Sequence, residues 1–585
     1  MRTLARAGLA LALILVFAFG VAAPPEHCPS VSPAELRGSA RAAVDWFVRN
    51  QNPDGSWLYE YDARTNAVAP PAEYNWVRHA GATMGLYQAA EAGLPGALRS
   101  ADRGTEWALD RLIERDGWSA FGSPSQVSTG ASALLAAGLT IRREATGDDR
   151  YDEVLTRLGR FLDAQTEQSG AVLASYDVAE GAPVAGDYSK YFTGETYWAL
   201  ARLERTLPGE GWGKTADRIG TYLATRRDEA EDHWPPIPDH WAAYGVAESV
   251  SLSDRPLTED EVGYARRQAE LFGVQARWLG QRYGPWGAVV RAGYEPRGGW
   301  YGVIGEALTG WWLVAGEDAR LADLRAAIGE RATCIAGLAV SAQSDAGDAA
   351  GATRPGRVEG AWFREDVTRM DDQQHAISAL LRTIPIAQAG APADSDGDPP
   401  SAWLWALALL LALNPARAAL GVPRQGLPRR DLLRMAAAGG VIGGLFVCLS
   451  ALVGDPLLDA LDVSDPSFRL AAGIVAVVAG AADLLRRPPS PEPALPGWKA
   501  ALVPIAIPLV ARPALLVMAL GAGADRGVLV ALAAMAAGVA LLTGLTAWSP
   551  VDGPGRRALD WARRLLAAGL LACGVLLAID GILDV

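Results

Sequence analysis

"STGASALLAAGLT" (Ser128–Thr140) is followed shortly by "DDRYDEVLTRLGRFLDAQTEQ" (Asp148–Gln168). The first stretch carries small and apolar residues on every side, so a helix built from it has to be buried all round. The second is charged, with apolar residues recurring at spacings of three and four, so its helix shows one face to water and one to the interior. "RHAGATMGLYQAA" (Arg78–Ala90) repeats the first type. The two types alternate between Val31 and Pro385, with starts near Pro33, Asn75, Gly96, Ser128, Asp148, Lys190, Lys214, Asp239, Thr258, Trp300, Ala319 and Asp371. Gly and Pro punctuate the gaps, and strand-like alternation is scarce. The fold expected is all-α. Six charged outer helices and six small-residue inner helices would close into an (α/α)6 toroid; an open solenoid of the same pairs is the alternative.

The whole chain has 585 residues and a net charge of −13. That length calls for more than one domain, and an acidic chain without a basic stripe argues against nucleic-acid binding. Composition divides it into residues 1–23, a signal peptide or N-terminal anchor; 31–388, an exported toroid; 389–400, a linker rich in Pro, Asp and Gly; and 401–585, a membrane domain. The N-terminus has Arg2 and Arg6, an apolar stretch from Leu9 to Val21, and the small-residue site Gly20-Val21-Ala22, with Pro24 close behind. Cys28 and Cys334 fall in the exported part, where they either pair or remain two free thiols. No metal-type cysteine spacing appears, and no cofactor is expected.

"QNPDGSW" (Gln51–Trp57) resembles the Q-x-x-D-G-S-W signature of the terpenoid cyclase and prenyltransferase-type toroids. "DGW" (Asp116–Trp118) and "GGWYG" (Gly298–Gly302) look like degenerate echoes of it. The resemblance implies the toroid rather than the chemistry: neither a D-x-D-D acid motif nor a prenyltransferase zinc set accompanies it. The same architecture serves six-hairpin glycosidases, lyases and sugar epimerases, and fold alone does not choose among them.

"YFTGETYWALARL" (Tyr191–Leu203) and "GVIGEALTGWWLV" (Gly302–Val314) each place a Gly-Glu pair at the entrance to an inner helix. A carboxylate there caps, pairs or works. In a toroid the inner-helix N-termini ring one mouth. Glu195, Glu306, Asp372, His375, His79 and His240 are therefore the expected catalytic set. Arg78, Tyr188, His233, Trp234, Trp300, Tyr301 and Trp362 are the expected substrate-binding set, with Asp371 beside them. Carboxylates, imidazoles and aromatic faces together suit carbohydrate, with two carboxyls dividing acid and base work or His or Tyr acting as base. Capping by the acids and core packing by the aromatics is the alternative.

Six apolar segments follow, near Ala402–Leu420, Leu432–Leu452, Phe468–Leu485, Ala500–Leu520, Val528–Trp548 and Leu565–Leu583, each long enough to span with some tilt. Arg424, Arg429 and Arg430, then Arg486, Arg487 and Lys499, then Arg556, Arg557, Arg563 and Arg564 mark alternate loops as cytoplasmic. Both ends of the bundle, and the toroid, are then outside an inner membrane. "AAGIVAVVAGAADLL" (Ala471–Leu485) resembles "AAGLLACGVLLAIDGIL" (Ala567–Leu583), which makes the bundle two inverted three-helix repeats with Pro-broken first helices. "FRLAAGIVAVVAGAADLL" from Phe468, "VPIAIPLVARPALL" from Val503, Asn414-Pro415 and the closing "AIDGILDV" resemble the MarC family of integral membrane proteins, within the LysE-like transporter group. The resemblance implies a small-solute transporter. It departs at Arg512, where the family usually has Gly. Asn414 and Arg512 are the expected transport residues. Arg512 is expected to face a hydrated internal cavity, with neither Asp483 nor Asp580 level with it, and Arg417 to snorkel to the cytoplasmic face.

The sequence thus reads as an envelope membrane protein: a carbohydrate-active or sugar-binding toroid (glycoside hydrolase, lyase or epimerase) joined to a small-solute transporter bundle. Its partners are the bilayer and a glycan or small solute. A non-enzymatic scaffold on an anchor or export channel is the second reading, and a terpenoid cyclase-like enzyme the third.

Overall fold

The computed structural model describes residues 2–232, 236–252, 256–283, 296–390, 400–424, 427–486, 497–548 and 553–584. His233, Trp234 and nearly all of the linker lie outside them. The chain forms two compact units. One comprises Cys28–Gly280 and Gly293–Gly397; the other comprises Met1–His27, Gln281–Ala292 and Asp398–Asp584.

Among the described residues, twelve helices of thirteen residues or more build the first unit: α1 (Pro33–Arg49), α2 (Trp76–Glu91), α3 (Ala97–Leu109), α4 (Thr129–Thr146), α5 (Asp152–Ala164), α6 (Phe192–Thr206), α7 (Trp212–Thr225), α8 (His240–Leu252), α9 (Glu259–Arg282), α10 (Gly298–Glu317), α11 (Arg325–Ala342) and α12 (Met370–Ala389). The even helices form a closed ring, α2 on α4, α4 on α6, α6 on α8, α8 on α10, α10 on α12 and α12 back on α2. The odd helices pack outside: α3 on α2, α5 on α4, α7 on α6, α11 on α10, α1 on α12. α9 meets α10 through Tyr264 and Trp311. This is an (α/α)6 toroid, and the ring closure removes the open solenoid.

Composition explains who sits where. α4 is buried along nearly its whole length, whereas α5 buries only Leu155, Leu158, Gly159, Phe161 and Leu162. Inner helices approach closely at glycines. A Cβ on Gly302 would lie 2.3 Å from the His375 carbonyl carbon, and one on Gly130 would lie 2.2 Å from Glu195 Oε2. Gly302→Ala should therefore destabilise the toroid by about 1–3 kcal/mol, because the clash is with backbone that cannot rotate away. Chemical denaturation measures it, and an unchanged midpoint would show that α10 and α12 can separate without cost.

The Gln51–Trp57 stretch is a structural clasp. Gln51 Nε2 donates to Gly55 O and Ser100 O, both at 2.9 Å, and Gly55 takes φ +99° against the Arg103 carbonyl. Trp57 is buried, and its backbone N–H donates to Tyr74 Oη. Asp116–Trp118 also follows an outer helix, as the turn of a hairpin. Gly298–Gly302 is no echo: it opens α10. The nearer counterpart is Gln165–Leu173 after α5, where Gly170 takes φ +93° against the Arg218 carbonyl. Short ribbons that periodicity did not foretell lead into the inner helices, including Glu60–Asp62 paired with Val367–Arg369. Cys28 and Cys334 are disulfide-bonded.

Among its described residues the second unit carries six helices long and apolar enough to span a membrane, or seven counting a bent pair. They include an N-terminal one at Ala5–Ala22, where the helix Arg2–Phe17 continues as a π-helical turn. Phe19 stacks near Phe468, and Glu26 accepts from Ser467 Oγ at 3.1 Å. The remainder is α13 (Ala402–Leu413), α14 (Pro415–Gly421), α15 (Arg429–Leu452), α16 (Asp465–Leu485), a π-helical stretch Leu502–Val510, α17 (Pro513–Arg526), α18 (Val528–Trp548) and α19 (Pro554–Leu583). Two spans are broken, before Pro415 and before Pro513, the second with a 65° bend. α16 and α19 run antiparallel at close range: Gly473 faces Gly574 and Ala578, Gly480 faces Ala567, and Gly581 faces Leu470. Glycine is what lets two backbones approach in a bilayer.

Candidate active site

A cavity of about 600 Å³ opens at the N-terminal ends of the inner helices. Arg78, Glu195, His240, Trp300, Asp371, Asp372 and His375 line it, together with Tyr191, Phe192, Trp241, Arg297, Arg364, Arg369 and Gln374. Every inner helix therefore contributes from its first two turns, α4 through Leu134.

Glu195 lies in the first turn of α6, only 3 % exposed, and among the described residues its Oε2 has no hydrogen-bond partner. Burial and then the Asp239 charge raise its pKa well above the usual carboxylate range. Glu306 is deeper than expected. α10 begins at Gly298, which puts Glu306 two turns inside the helix and fully buried. His375 Nδ1 donates to Glu306 Oε2 at 2.7 Å, and Gln374 Nε2 reaches Glu306 Oε1 at 3.4 Å. Burial works against the His375 imidazolium, but the Glu306 charge and hydrogen bond outweigh it and raise the pKa. His240 Nε2 is 3.7 Å from the same Glu306 oxygen, and among the described residues neither of its nitrogens has a hydrogen-bond partner. Burial, then His375, lowers the His240 pKa well below its ordinary value.

Supporting residues fix this arrangement. Asp239 accepts from Trp241 N and Ala242 N at 3.1 Å each and so starts α8 with His240 in place. Arg227 Nη1 holds Asp239 at 2.7 Å, and its Nη2 donates to Ser189 O in the backbone before α6. Asp372 accepts from Arg369 N and Gly299 N, both at 2.9 Å, and pairs with Arg297 at 3.3 Å. Its oxygens thus tie α12 to α10. Arg78 Nε pairs with Asp371 at 2.9 Å.

Four expected residues stand elsewhere. Tyr301 and Trp362 are buried in the core, with Trp362 Nε1 donating to Ala339 O. Tyr188 lines a neighbouring cavity that shares Asn75, Val77 and Phe192 with the first. His79 is packed among Trp57, Tyr74, Trp107 and Phe121. Its Nε2–H donates to Gly104 O and its Nδ1 accepts from Tyr74, both at 2.8 Å, which fixes the neutral tautomer. Burial drives its pKa to about 3. Between about pH 6.5 and 3 the unfolded chain binds a proton that the folded chain refuses, so stability is lost as pH falls, at about 1.4 kcal/mol per unit. Denaturation at pH 6.5 and 4.5 should differ by about 2–3 kcal/mol less in His79→Gln than in wild type. Equal pH slopes would mean that His79 is charged in the folded state.

Sequence reasoning missed Arg297, Arg369, Gln374 and Tyr191. Each lies beside a residue it did single out, so the available signal was adjacency to an inner-helix start.

In the second unit Arg512 corrects the expectation. Its Nη1 is 2.7 Å and its Nη2 3.2 Å from the Asp483 carboxylate, and Nη1 also donates to Ala412 O. The break before Pro513 brings Arg512 level with Asp483, against the expectation that it would meet no acid. Arg417 does not snorkel; its Nε is 3.4 Å from Asp483. Asn414 takes a left-handed conformation, caps Arg417 N and donates to Arg563 O at 3.0 Å. Asp580 pairs with Arg469, which also binds Asp525 and Asp584.

Residues 429–585, which hold α15 to α19, match the family described as MarC family integral membrane protein. No curated protein matches the chain in sequence. Among solved structures the chain is similar to cellobiose 2-epimerase from Spirochaeta thermophila DSM 6192, at 15 % identity and TM-score 0.42, covering 66 % of this chain and 98 % of that one. It is similar to a D-mannose isomerase at 11 % identity and TM-score 0.43, covering 61 % and 97 %. It is also similar to an unsaturated glucuronyl hydrolase specific for heparin at 12 % identity and TM-score 0.42, covering 61 % and 99 %.

Proposed function

We propose that the toroid is a carbohydrate-processing enzyme working by acid–base catalysis. One observation carries this: a buried acid, Glu195, whose surroundings raise its proton affinity, shares a cavity with His375, which is hydrogen-bonded to Glu306. Groups whose surroundings push their proton affinities apart are how one site runs acid and base steps at neutral pH. Trp300, 41 % exposed at the rim, offers the flat face on which a sugar stacks. A panel of neutral and acidic mono- and oligosaccharides, followed by NMR for turnover, tests this. Conversion of one sugar class supports it; no conversion and no binding across the panel refutes it.

We propose that the bundle is a small-solute transporter, with Arg512, Arg417 and Asp483 where the two helix breaks meet as its exchange site. Buried charges in a membrane domain mark pathways more often than structure. We place the toroid and the C-terminus outside the cytoplasm. The Cys28–Cys334 disulfide suits an oxidising compartment, and Arg and Lys cluster in alternate loops. Reporter fusions at Gln425 and after Val585 should read cytoplasmic and extracytoplasmic, respectively; a cytoplasmic signal after Val585 reverses the topology.

A further inference from the structure

We propose that His240, Glu306 and His375 hold a divalent transition-metal ion, zinc by preference. This rests on reading the rim cavity as the active site and adds to it the group that would generate the base. His240 Nε2, Glu306 Oε2 and His375 Nδ1 lie within 4.8 Å of one another. The two nitrogens stand 3.7 and 2.7 Å from the same carboxylate oxygen. Ligands at about 2.0–2.1 Å around a tetrahedral zinc are about 3.3 Å apart, so shifts of well under an ångström convert one arrangement into the other.

The second observation is His240 itself. Its side chain is 3 % exposed, and among the described residues neither ring nitrogen has a hydrogen-bond partner. A buried imidazole left so loses the full desolvation cost of its N–H and its lone pair. A cation on Nε2 removes that cost in part and takes the place of the His375 Nδ1 proton. Two imidazoles and one carboxylate, with a fourth position open to the cavity, make the ligand set of a catalytic rather than a structural zinc. The outer groups are present as well, since Gln374 Nε2 reaches the second Glu306 oxygen. Arg297 and Arg369 are occupied with Asp372 and Asp371, which leaves the triad's carboxylate to the cation. The ligands come from three helices, so no short motif announces the site.

The test uses the full chain in detergent, stripped with a chelator and titrated with Zn²⁺ alone. One equivalent should bind, raise the thermal midpoint and, with Co²⁺ in its place, give the strong visible bands of a four-coordinate ion. His240→Ala, Glu306→Gln and His375→Ala should each weaken binding at least ~100-fold, while His27→Ala should not. Sub-stoichiometric binding by wild type, or binding that survives all three substitutions, overturns the proposal. If a substitution prevents folding, the wild-type Co²⁺ spectrum decides, a six-coordinate or absent signal being negative. Sugar turnover by metal-free wild type at an undiminished rate overturns the metal and leaves the carbohydrate reading standing. A bound metal with no turnover of any sugar does the reverse.

Discussion

Asp483→Asn should be the most damaging single substitution in the membrane unit. Asp483 is 5 % exposed and receives Arg512 twice and Arg417 once. Removing its charge leaves two guanidiniums facing each other in a low-dielectric interior, which costs on the order of 3–5 kcal/mol. Removing both partners is a different experiment. Asp483→Leu combined with Arg512→Leu takes charge out of the bilayer along with its desolvation penalty, so the double variant should recover most of that loss. Arg512→Lys should fall between, since a point charge cannot grip both carboxylate oxygens and the Ala412 carbonyl at once. Unfolding in mixed micelles reads all three. The comparison also separates structure from transport: a double variant that is stable but no longer moves solute keeps the exchange site, and one that is stable and transports makes the ion group a brace.

Glu306→Gln should have the largest effect on the toroid's chemistry. Glutamine keeps the size of glutamate, and its amide oxygen still accepts the His375 Nδ1 proton, so the fold should change by less than about 1 kcal/mol. Turnover should drop by about 10²–10⁴, the range that one general acid–base group supplies. Glu195→Gln should lose turnover to a similar degree, because an amide cannot give up a proton. If either variant loses stability and turnover in proportion, the residue ties helices together and does no chemistry.

The toroid was legible because its two helix types differ in kind. An all-round apolar helix such as α4 has nowhere to go but the interior, and α5 has one face to bury. The rim followed from ring closure, since residues at helix starts converge once the ring exists. What the sequence did not carry was depth. His79 and His375 both lie near inner-helix starts, yet His79 turns toward Trp57 and Trp107 and leaves the cavity, while His375 meets Glu306. Side-chain direction within a turn depends on neighbours from other hairpins, and no local pattern records it. Glu306 lies two turns into α10, which begins at Gly298, two residues before the expected start, where Asp372 from another hairpin accepts from Gly299 N. In the membrane unit Pro415 and Pro513 announced the breaks, but the partner of Arg512 depended on how far the 65° bend carried it.

The most direct measurement is a structure of the full chain with the sugar that the panel selects. The account predicts the sugar in the rim cavity, stacked on Trp300, with reacting atoms between Glu195 and the His240–Glu306–His375 group. A sugar bound outside this cavity, or inside it with none of those four side chains in contact, would contradict it.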